Sequence, residues 1–145
     1  MRPLVLVVQN EVDDPVALVG QWISEVGVDV EVIHAYRGET VPAALPAQYS
    51  GAIAMGGYMG ANDDIEFPWL IPARSLMKDL VANDIPFFGI CLGGQLLATA
   101  VDGKLIISLL DNALASPNNK LNVTVLDTAT WAELGINTYT QTQTI

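Results

Sequence analysis

The chain has 145 residues, of which 51% are hydrophobic and 15% are charged, and its formal net charge is −10. This length fits one globular domain, and the hydrophobic content excludes a disordered chain. Clustered Lys and Arg bind phosphate backbones, so the acidic balance argues against a nucleic acid partner. No apolar run approaches the roughly 18 residues that cross a bilayer, and a single cysteine suits a reducing, cytoplasmic compartment. We therefore expect neither a nucleic acid nor a membrane partner.

Four short apolar runs within the first 90 residues predict β-strands. They are Leu4–Gln9, Val28–Ala35, Gly51–Met55 and Pro86–Ile90. The first run is continuously apolar, as expected for a parallel strand that is covered on both faces, and it lacks the cleavage site of a secretion signal. Residues 38–48 are rich in Pro and Ala and lack periodicity, which predicts a connection.

Apolar residues at helical spacing predict two helices between these strands. The first begins near Pro15, with Asp13 or Asp14 as its cap, and stops at Gly27. Its buried stripe comprises Val16, Val19, Ile23 and Val26. The second opens at Pro68. Its stripe comprises Leu70, Ala73, Met77, Leu80 and Val81, and its outer face carries Arg74, Lys78 and Asp79. Strands and helices together predict an α/β fold with a doubly wound, mostly parallel sheet, a flavodoxin-like three-layer sandwich.

Asn62, Asp63 and Asp64 predict caps and turns at the surface. Two adjacent carboxylates are also compatible with a metal site, but no His or third carboxylate stands at ligand spacing beside them. We therefore expect no metal and no cofactor.

The sole cysteine stands where the fourth strand meets a segment of helix formers, Leu96–Ala98. Residues 89–93 read Gly-Ile-Cys-Leu-Gly, the thiol counterpart of the serine nucleophile elbow, in which a strained strand-to-helix turn carries the nucleophile. Such a turn holds the sulfur of Cys91 at a helix N-terminus, whose partial positive charge favours the reactive thiolate. Most free cysteines are instead small apolar core residues, but glycines on both sides of Cys91 favour the elbow. The pattern predicts acyl-transfer chemistry.

The longer string at residues 89–97, Gly-Ile-Cys-Leu-Gly-Gly-Gln-Leu-Leu, resembles the nucleophile motif of class I glutamine amidotransferases. The resemblance implies that Cys91 is the nucleophile, that the backbone N–H of Leu92 is an oxyanion donor and that Gln95 contacts the substrate glutamine. The family usually has His where this chain has Gly94, and that departure leaves the other three positions intact.

A glycine loop, Gly-Gly-Tyr-Met-Gly at residues 56–60, follows the third predicted strand, and a loop of this kind recurs in the same family. By the resemblance, Gly57 supplies a second oxyanion N–H, while Gly56 and Gly93 contact the substrate. Taken alone, a Gly-Gly pair after a strand is more often only a tight turn. The resemblance covers residues 1–105 and includes the string Phe-Pro-Trp-Leu at the start of the second predicted helix. Within the family, the chain is similar to the amidotransferase subunit of GMP synthase.

Residues 106–145 depart from the family pattern, so we expect a single domain, 1–145, that is divergent in this part and whose sheet is incomplete. Lys104–Leu110 and Leu121–Leu126 predict strands, and Thr130–Leu134 predicts a short helical turn. The last eight residues, Thr138–Ile145, include four Thr and two Gln and no charge, which is unlike a core element.

Class I amidotransferases complete their triad with a His and a Glu near the C-terminus, and this sequence has no His after Cys91. Its only histidine, His34, alternates with valines in a predicted strand, which is more typical of a core or edge residue than of a base. The resemblance implies hydrolysis of L-glutamine to supply ammonia to a synthetase domain or subunit. An inactive module that binds glutamine or a partner, and a different cysteine hydrolase with a nucleophile elbow, remain as alternatives.

Overall fold

The computed structural model describes residues 2–101 and three strands beyond them, at 104–111, 118–127 and 133–142. Contacts divide the chain into two compact units, Met1–Val101 and Asp102–Ile145. The first unit is built around a parallel sheet, and the second contains an antiparallel sheet. Among the described residues, no helix has the length and apolar composition needed to cross a membrane.

Strands and helices alternate along the first unit. In chain order they are β1 (Leu4–Gln9), α1 (Ala17–Glu25), β2 (Asp29–His34), β3 (Gly51–Ala54), α2 (Leu70–Ala82), β4 (Phe87–Gly89) and α3 (Leu92–Ala100). Residues 38–48 contain no helix or strand, as predicted. The four strands form one all-parallel sheet in the order β2-β1-β3-β4, which confirms the predicted α/β fold.

Helices cover both faces of this sheet because side chains alternate along each strand. On one face, Val7 and Ile53 form a cluster against which Val19 and Ile23 of α1 pack. On the other face, α3 packs on β3 and β4, and α2 packs on α3. The fully buried leucines are Leu6, Leu70, Leu76, Leu80, Leu92 and Leu96. The core therefore lies in two layers, one on each side of the sheet.

The start of α1 differs from the prediction, whereas its end agrees with it. The N-cap residue is Val16, and no side chain caps the helix. The prediction that Asp13 or Asp14 caps it is therefore wrong; the carboxylate of Asp14 lies against Gly56 in the glycine loop instead. The helix stops at Gly27, whose φ of +85° is the left-handed conformation that glycine adopts readily.

Both predicted stripes include one residue that the structure exposes. Val26 is 78% exposed and Val81 is 53% exposed. Val26 is the C-cap of α1, at the end of the helix. Val81 is the second-to-last residue of α2, so it too lies at the end of its helix. Leu76, which lies outside the predicted stripe, is buried in its place.

Arg74, predicted on the outer face of α2, anchors the loop before that helix. Its guanidinium pairs with the carboxylate of Asp64 and donates a hydrogen bond to the carbonyl of Ala61. The side chains of Arg74 and Asp64 are 17% and 33% exposed, so Asp64 lies at the surface but is partly buried by its ion pair. Asp63 has the predicted turn role, because its carboxylate accepts a hydrogen bond from the N–H of Gly60 at 2.7 Å.

Replacing Asp64 with Asn should destabilise the protein by about 2–3 kcal/mol, because it leaves a largely buried guanidinium without its counter-ion. A matched control is Asp29→Asn, which breaks the half-exposed pair of Asp29 with Arg2 and should cost less than about 1 kcal/mol. Urea unfolding measures both variants. Equal losses of stability would show that the Arg74 pair is no more important than a surface ion pair.

Within its described residues, the second unit contains three antiparallel strands, in the order β5-β6-β7. They are β5 (Lys104–Asp111), β6 (Asn118–Asp127) and β7 (Glu133–Thr142). The first two contain the predicted strands. The predicted helical turn at 130–134 is wrong at residues 133 and 134, which lie in β7, and its first three residues lie outside the described residues. Residues 138–142 lie in β7, since Thr and Tyr have high β-propensity, and residues 143–145 lie outside the described residues.

Candidate active site

Cys91 lies at the junction of β4 and α3 in a backbone conformation that few residues other than glycine adopt. Its φ is +50° and its ψ is −108°, and its side chain is exposed. The junction is fixed from both sides, since the N–H of Ile90 donates to the carbonyl of Ala54 at 2.9 Å and the N–H of Gly93 donates to the carbonyl of Ile90 at 2.9 Å. Non-glycine residues in such sparsely populated conformations cluster at active sites. The strand, turn and helix thus have the geometry of a nucleophile elbow.

The glycines that flank Cys91 are required by close backbone contacts. A Cβ at Gly89 would lie 2.6 Å from the backbone of Gly93 and Gly94. A Cβ at Gly93 would lie 2.9 Å from the Cβ of Ala54 and would overlap its carbonyl oxygen. These distances are shorter than any normal Cβ contact, so no side chain fits at either position. By contrast, a Cβ at Gly94 would meet only the carbonyl of Gly89, at 3.6 Å, which is an ordinary contact.

The glycine loop after β3 lies directly against the elbow. A Cβ built on Gly56 would be 3.5 Å from the Cβ of Cys91, and one built on Gly57 would be 3.0 Å from the side chain of Leu92. Leu92 begins α3, so its backbone N–H has no acceptor within the helix. The structure therefore brings Gly56, Gly57, Cys91 and Leu92 together at the carboxyl edge of the sheet.

Gln95 belongs to the same surface as Cys91. It is half-buried and lies four residues after Cys91, and residues at this spacing share one helix face. Its N–H donates to the carbonyl of Cys91 at 3.1 Å, and its own carbonyl accepts a hydrogen bond from Thr99 at 2.9 Å. α3 begins at Leu92, four residues before the predicted helix formers at Leu96. Its first turn therefore includes the two glycines at 93 and 94.

Asp14 also lies beside the elbow, a placement that the sequence pattern does not predict. The Oδ2 atom of its carboxylate occupies the space that a Cβ at Gly56 would need, and the Cβ of Cys91 borders the same space. A carboxylate is therefore a near neighbour of the thiol. The signal that could have found it is its position, five residues after β1 ends, since the carboxyl ends of parallel strands share one edge of the sheet.

His34 is remote from this constellation. It ends β2, and β1 and β3 separate β2 from β4, which puts it about 14 Å from Cys91 by strand spacing. Its Nδ1 lies 3.5 Å from the carboxylate of Glu39, and its ring meets that of Tyr36 edge-on at 5.8 Å. His34 thus lies on an edge strand with partners of its own, which is one of the two predicted settings, a core or an edge residue. Within the described part of the chain, no three His, Cys, Asp or Glu side chains are grouped to hold a metal ion.

The fold and this junction define a class of protein, the α/β domains in which an exposed cysteine occupies a strained strand-to-helix turn beside a glycine loop. The family model for class I glutamine amidotransferases matches residues 15–143. The chain therefore belongs to the class I glutamine amidotransferase family. The match extends past residue 105 and includes the strands of the second unit.

Individual proteins support the same relationship. The chain is 31% identical, over 98 residues, to the glutamine amidotransferase-like protein L716 of Acanthamoeba polyphaga mimivirus, covering 68% of this chain and 45% of that protein. It is 33% identical to a glutamine amidotransferase of Methylobacillus flagellatus of known structure, with a TM-score of 0.60 over 74% of this chain and 41% of that one. The chain thus spans less than half the length of these two relatives.

Two more distant structures share the fold. A glutamine amidotransferase of Thermotoga maritima is 22% identical and superimposes with a TM-score of 0.64, over 96% of this chain and 63% of that one. A GMP synthase subunit of Thermoplasma acidophilum is 14% identical, with a TM-score of 0.50 over 88% of this chain and 65% of that one. At these identities the likeness is one of fold alone.

The two adjacent glycines of α3 provide a matched test of the elbow. Gly93→Ala should destabilise the protein strongly, by at least about 2 kcal/mol, because its Cβ would overlap the backbone of Ala54. Gly94→Ala should be neutral or stabilising by up to about 1 kcal/mol, because alanine is the better helix former and the space is open. Thermal unfolding distinguishes the variants. If both behaved alike, the close approach of α3 to β3 would be wrong.

A second prediction concerns the accessibility of Cys91. Iodoacetamide should alkylate the native protein at this position near neutral pH, because the elbow exposes the side chain at a helix N-terminus. Mass spectrometry of native and urea-unfolded samples measures the rates, with Cys91→Ser as the unreactive control. A thiol that reacted only after unfolding would be a core cysteine and would contradict the elbow.

Proposed function

We propose that this chain carries the nucleophile half of a glutaminase site, which hydrolyses the side-chain amide of L-glutamine and releases ammonia. The observation that supports it best is the contact between two loops that are distant in sequence. Gly56 borders the Cβ of Cys91, and Gly57 borders Leu92. A nucleophile and two backbone N–H groups near one point are what acyl transfer requires.

In the proposed reaction, the thiolate of Cys91 attacks the amide carbon of the substrate. The N–H groups of Gly57 and Leu92 stabilise the oxyanion that forms, and the C–N bond then breaks as the nitrogen gains a proton and leaves as ammonia. Water next hydrolyses the thioester, which releases glutamate and restores the thiol. Gly56, Gly93 and Gln95 are the proposed contacts of the substrate chain around this centre.

The carboxylate of Asp14 suits substrate binding. The substrate carries an α-ammonium group, and a carboxylate beside the nucleophile can pair with it. We therefore assign Asp14 to recognition of that ammonium.

The identity of the base separates two candidate functions. The chain has no His after Cys91, and His34 is three strand positions away from it. This observation favours, as a second candidate, a module that binds glutamine or reacts with it once without turnover. The ammonia acceptor in either case is a proposed synthetase domain or subunit, with a GMP synthase-like system as the proposed type and the cytoplasm as the proposed location.

We expect this chain to hydrolyse glutamine at least about 10²-fold more slowly than a family member with the complete triad, because general acid–base catalysis contributes about 10²- to 10⁴-fold. A diazoketone analogue of glutamine should nevertheless label Cys91, since this step needs the thiolate and the oxyanion donors more than a proton shuttle. Asp14→Asn should raise the concentration of the analogue that gives half the maximal labelling rate. Glu25→Gln, at the end of α1, should leave that concentration unchanged.

Grafting a C-terminal segment that carries the His and Glu of a relative should raise turnover. His34→Ala is the control, and it should change neither labelling nor turnover. Normal turnover of the unmodified chain that survives His34→Ala would mean that another group is the base. Absence of labelling at Cys91 would contradict the proposed site itself.

A further inference from the structure

A cavity separate from Cys91 lies at the carboxyl edge of the sheet, next to the glycine loop. Its volume is about 250 Å³. The segments after β1, after β2 and after β3 line it, together with the segment before α2. Six of the lining residues carry aromatic rings or hydrogen-bonding groups that bear on its ligand: Asn10, Glu11, Tyr36, Tyr58, Phe67 and Trp69.

Four aromatic side chains form much of the cavity wall. Tyr58 meets Phe67 edge-on at 5.6 Å, and Phe67 meets Trp69 edge-on at 5.4 Å. Tyr36 completes the set, and its ring already attracts one cation, the guanidinium of Arg37 at 5.2 Å. Aromatic faces bind cations and hydrocarbon alike, so this wall suits a small organic cation.

Hydrogen-bonding groups in the same cavity lack partners in the described part of the chain. Asn10 is completely buried; its Nδ2 donates to the carbonyl of Met55 at 2.8 Å, but its Oδ1 has no donor. The indole Nε1 of Trp69 is buried and has no acceptor. Leaving a buried polar atom unpaired costs about 1–3 kcal/mol. Asn10 and Trp69 both line the cavity, so a ligand there, or water held with it, is close enough to complete their bonding after a small shift of these side chains.

The carboxylate of Glu11 determines the charge of that ligand. Its Oε2 accepts a hydrogen bond from the N–H of Tyr58 at 3.2 Å, and no cationic side chain of the described residues lies within ion-pair distance of it. Carboxylate and amide oxygens accept hydrogen bonds, whereas the indole N–H donates one. The complementary molecule carries an ammonium with N–H donors at one end and an acceptor oxygen at the other.

We propose that this cavity is a binding site for a small primary amine that bears a hydroxyl or carbonyl oxygen. The ammonium lies between Glu11 and Asn10, the hydrocarbon contacts the aromatic wall, and the oxygen accepts from Trp69. Cys91 does not line the cavity, so the site is distinct from the proposed nucleophile, although the glycine loop borders both.

Calorimetric titration with aminobutanol, with its functional groups at opposite ends, tests the proposal. A ligand of six heavy atoms should bind with a Kd on the order of 1 mM. The butanediol of the same geometry, which lacks the charge, should bind at least about 10-fold more weakly because it cannot pair with the carboxylate. Cys91→Ser should bind aminobutanol as the unmodified protein does, which separates this outcome from failure of the glutaminase proposal.

Two substitutions identify the groups. Glu11→Gln, which keeps an acceptor for the N–H of Tyr58, should weaken aminobutanol binding at least about 10-fold, and Trp69→Phe should weaken it about 3-fold or more. The matched control is Glu66→Gln, an exposed position outside the cavity, which should have no effect. Three results would each overturn the proposal. They are equal affinity for the amine and the diol, no binding of aminobutanol at about 50 times its expected Kd, and unchanged affinity in Glu11→Gln.

Discussion

The close approach of α3 to β3 is the constraint on which the site depends. Gly93 lies so near the backbone of Ala54 that a single methyl group would separate the helix from the strand. That proximity leaves only a tight turn to connect β4 to α3, and the turn forces Cys91 into its positive φ. Placement of the thiol is thus a consequence of backbone packing, and Cys91 itself contributes little to it.

Parallel topology explains why residues from three strands meet. Every strand of the sheet ends at the same edge, so Asp14 after β1, the glycines after β3 and Cys91 after β4 converge although nearly 80 residues separate the first from the last. The same edge also holds the aromatic cavity, with Asn10 between the two regions. A Cβ at Gly57 would lie 3.4 Å from that of Asn10, so the glycine loop borders both.

The features that could be predicted were those with a local cause. The G-x-C-x-G pattern predicts the elbow because a close backbone contact at each of its two glycines leaves no room for a side chain. Gly27 ends α1 because of its own left-handed conformation. The missed features depend on distant partners. Asp14 has the chemistry of a cap, yet it lies against Gly56, more than 40 residues away, and Arg74, at a position predicted to face solvent, pairs with Asp64. Sequence periodicity carries no information on either contact.

The strain at Cys91 also has a consequence for the order of folding events. In the unfolded chain this residue is free to relax, and nothing holds it at positive φ until β3 and β4 have paired and α3 has docked on them. The turn therefore completes after its supports, close to the native side of the folding barrier. Relief of the strain, as by a glycine at this position, acts mainly by slowing unfolding and changes the folding rate little.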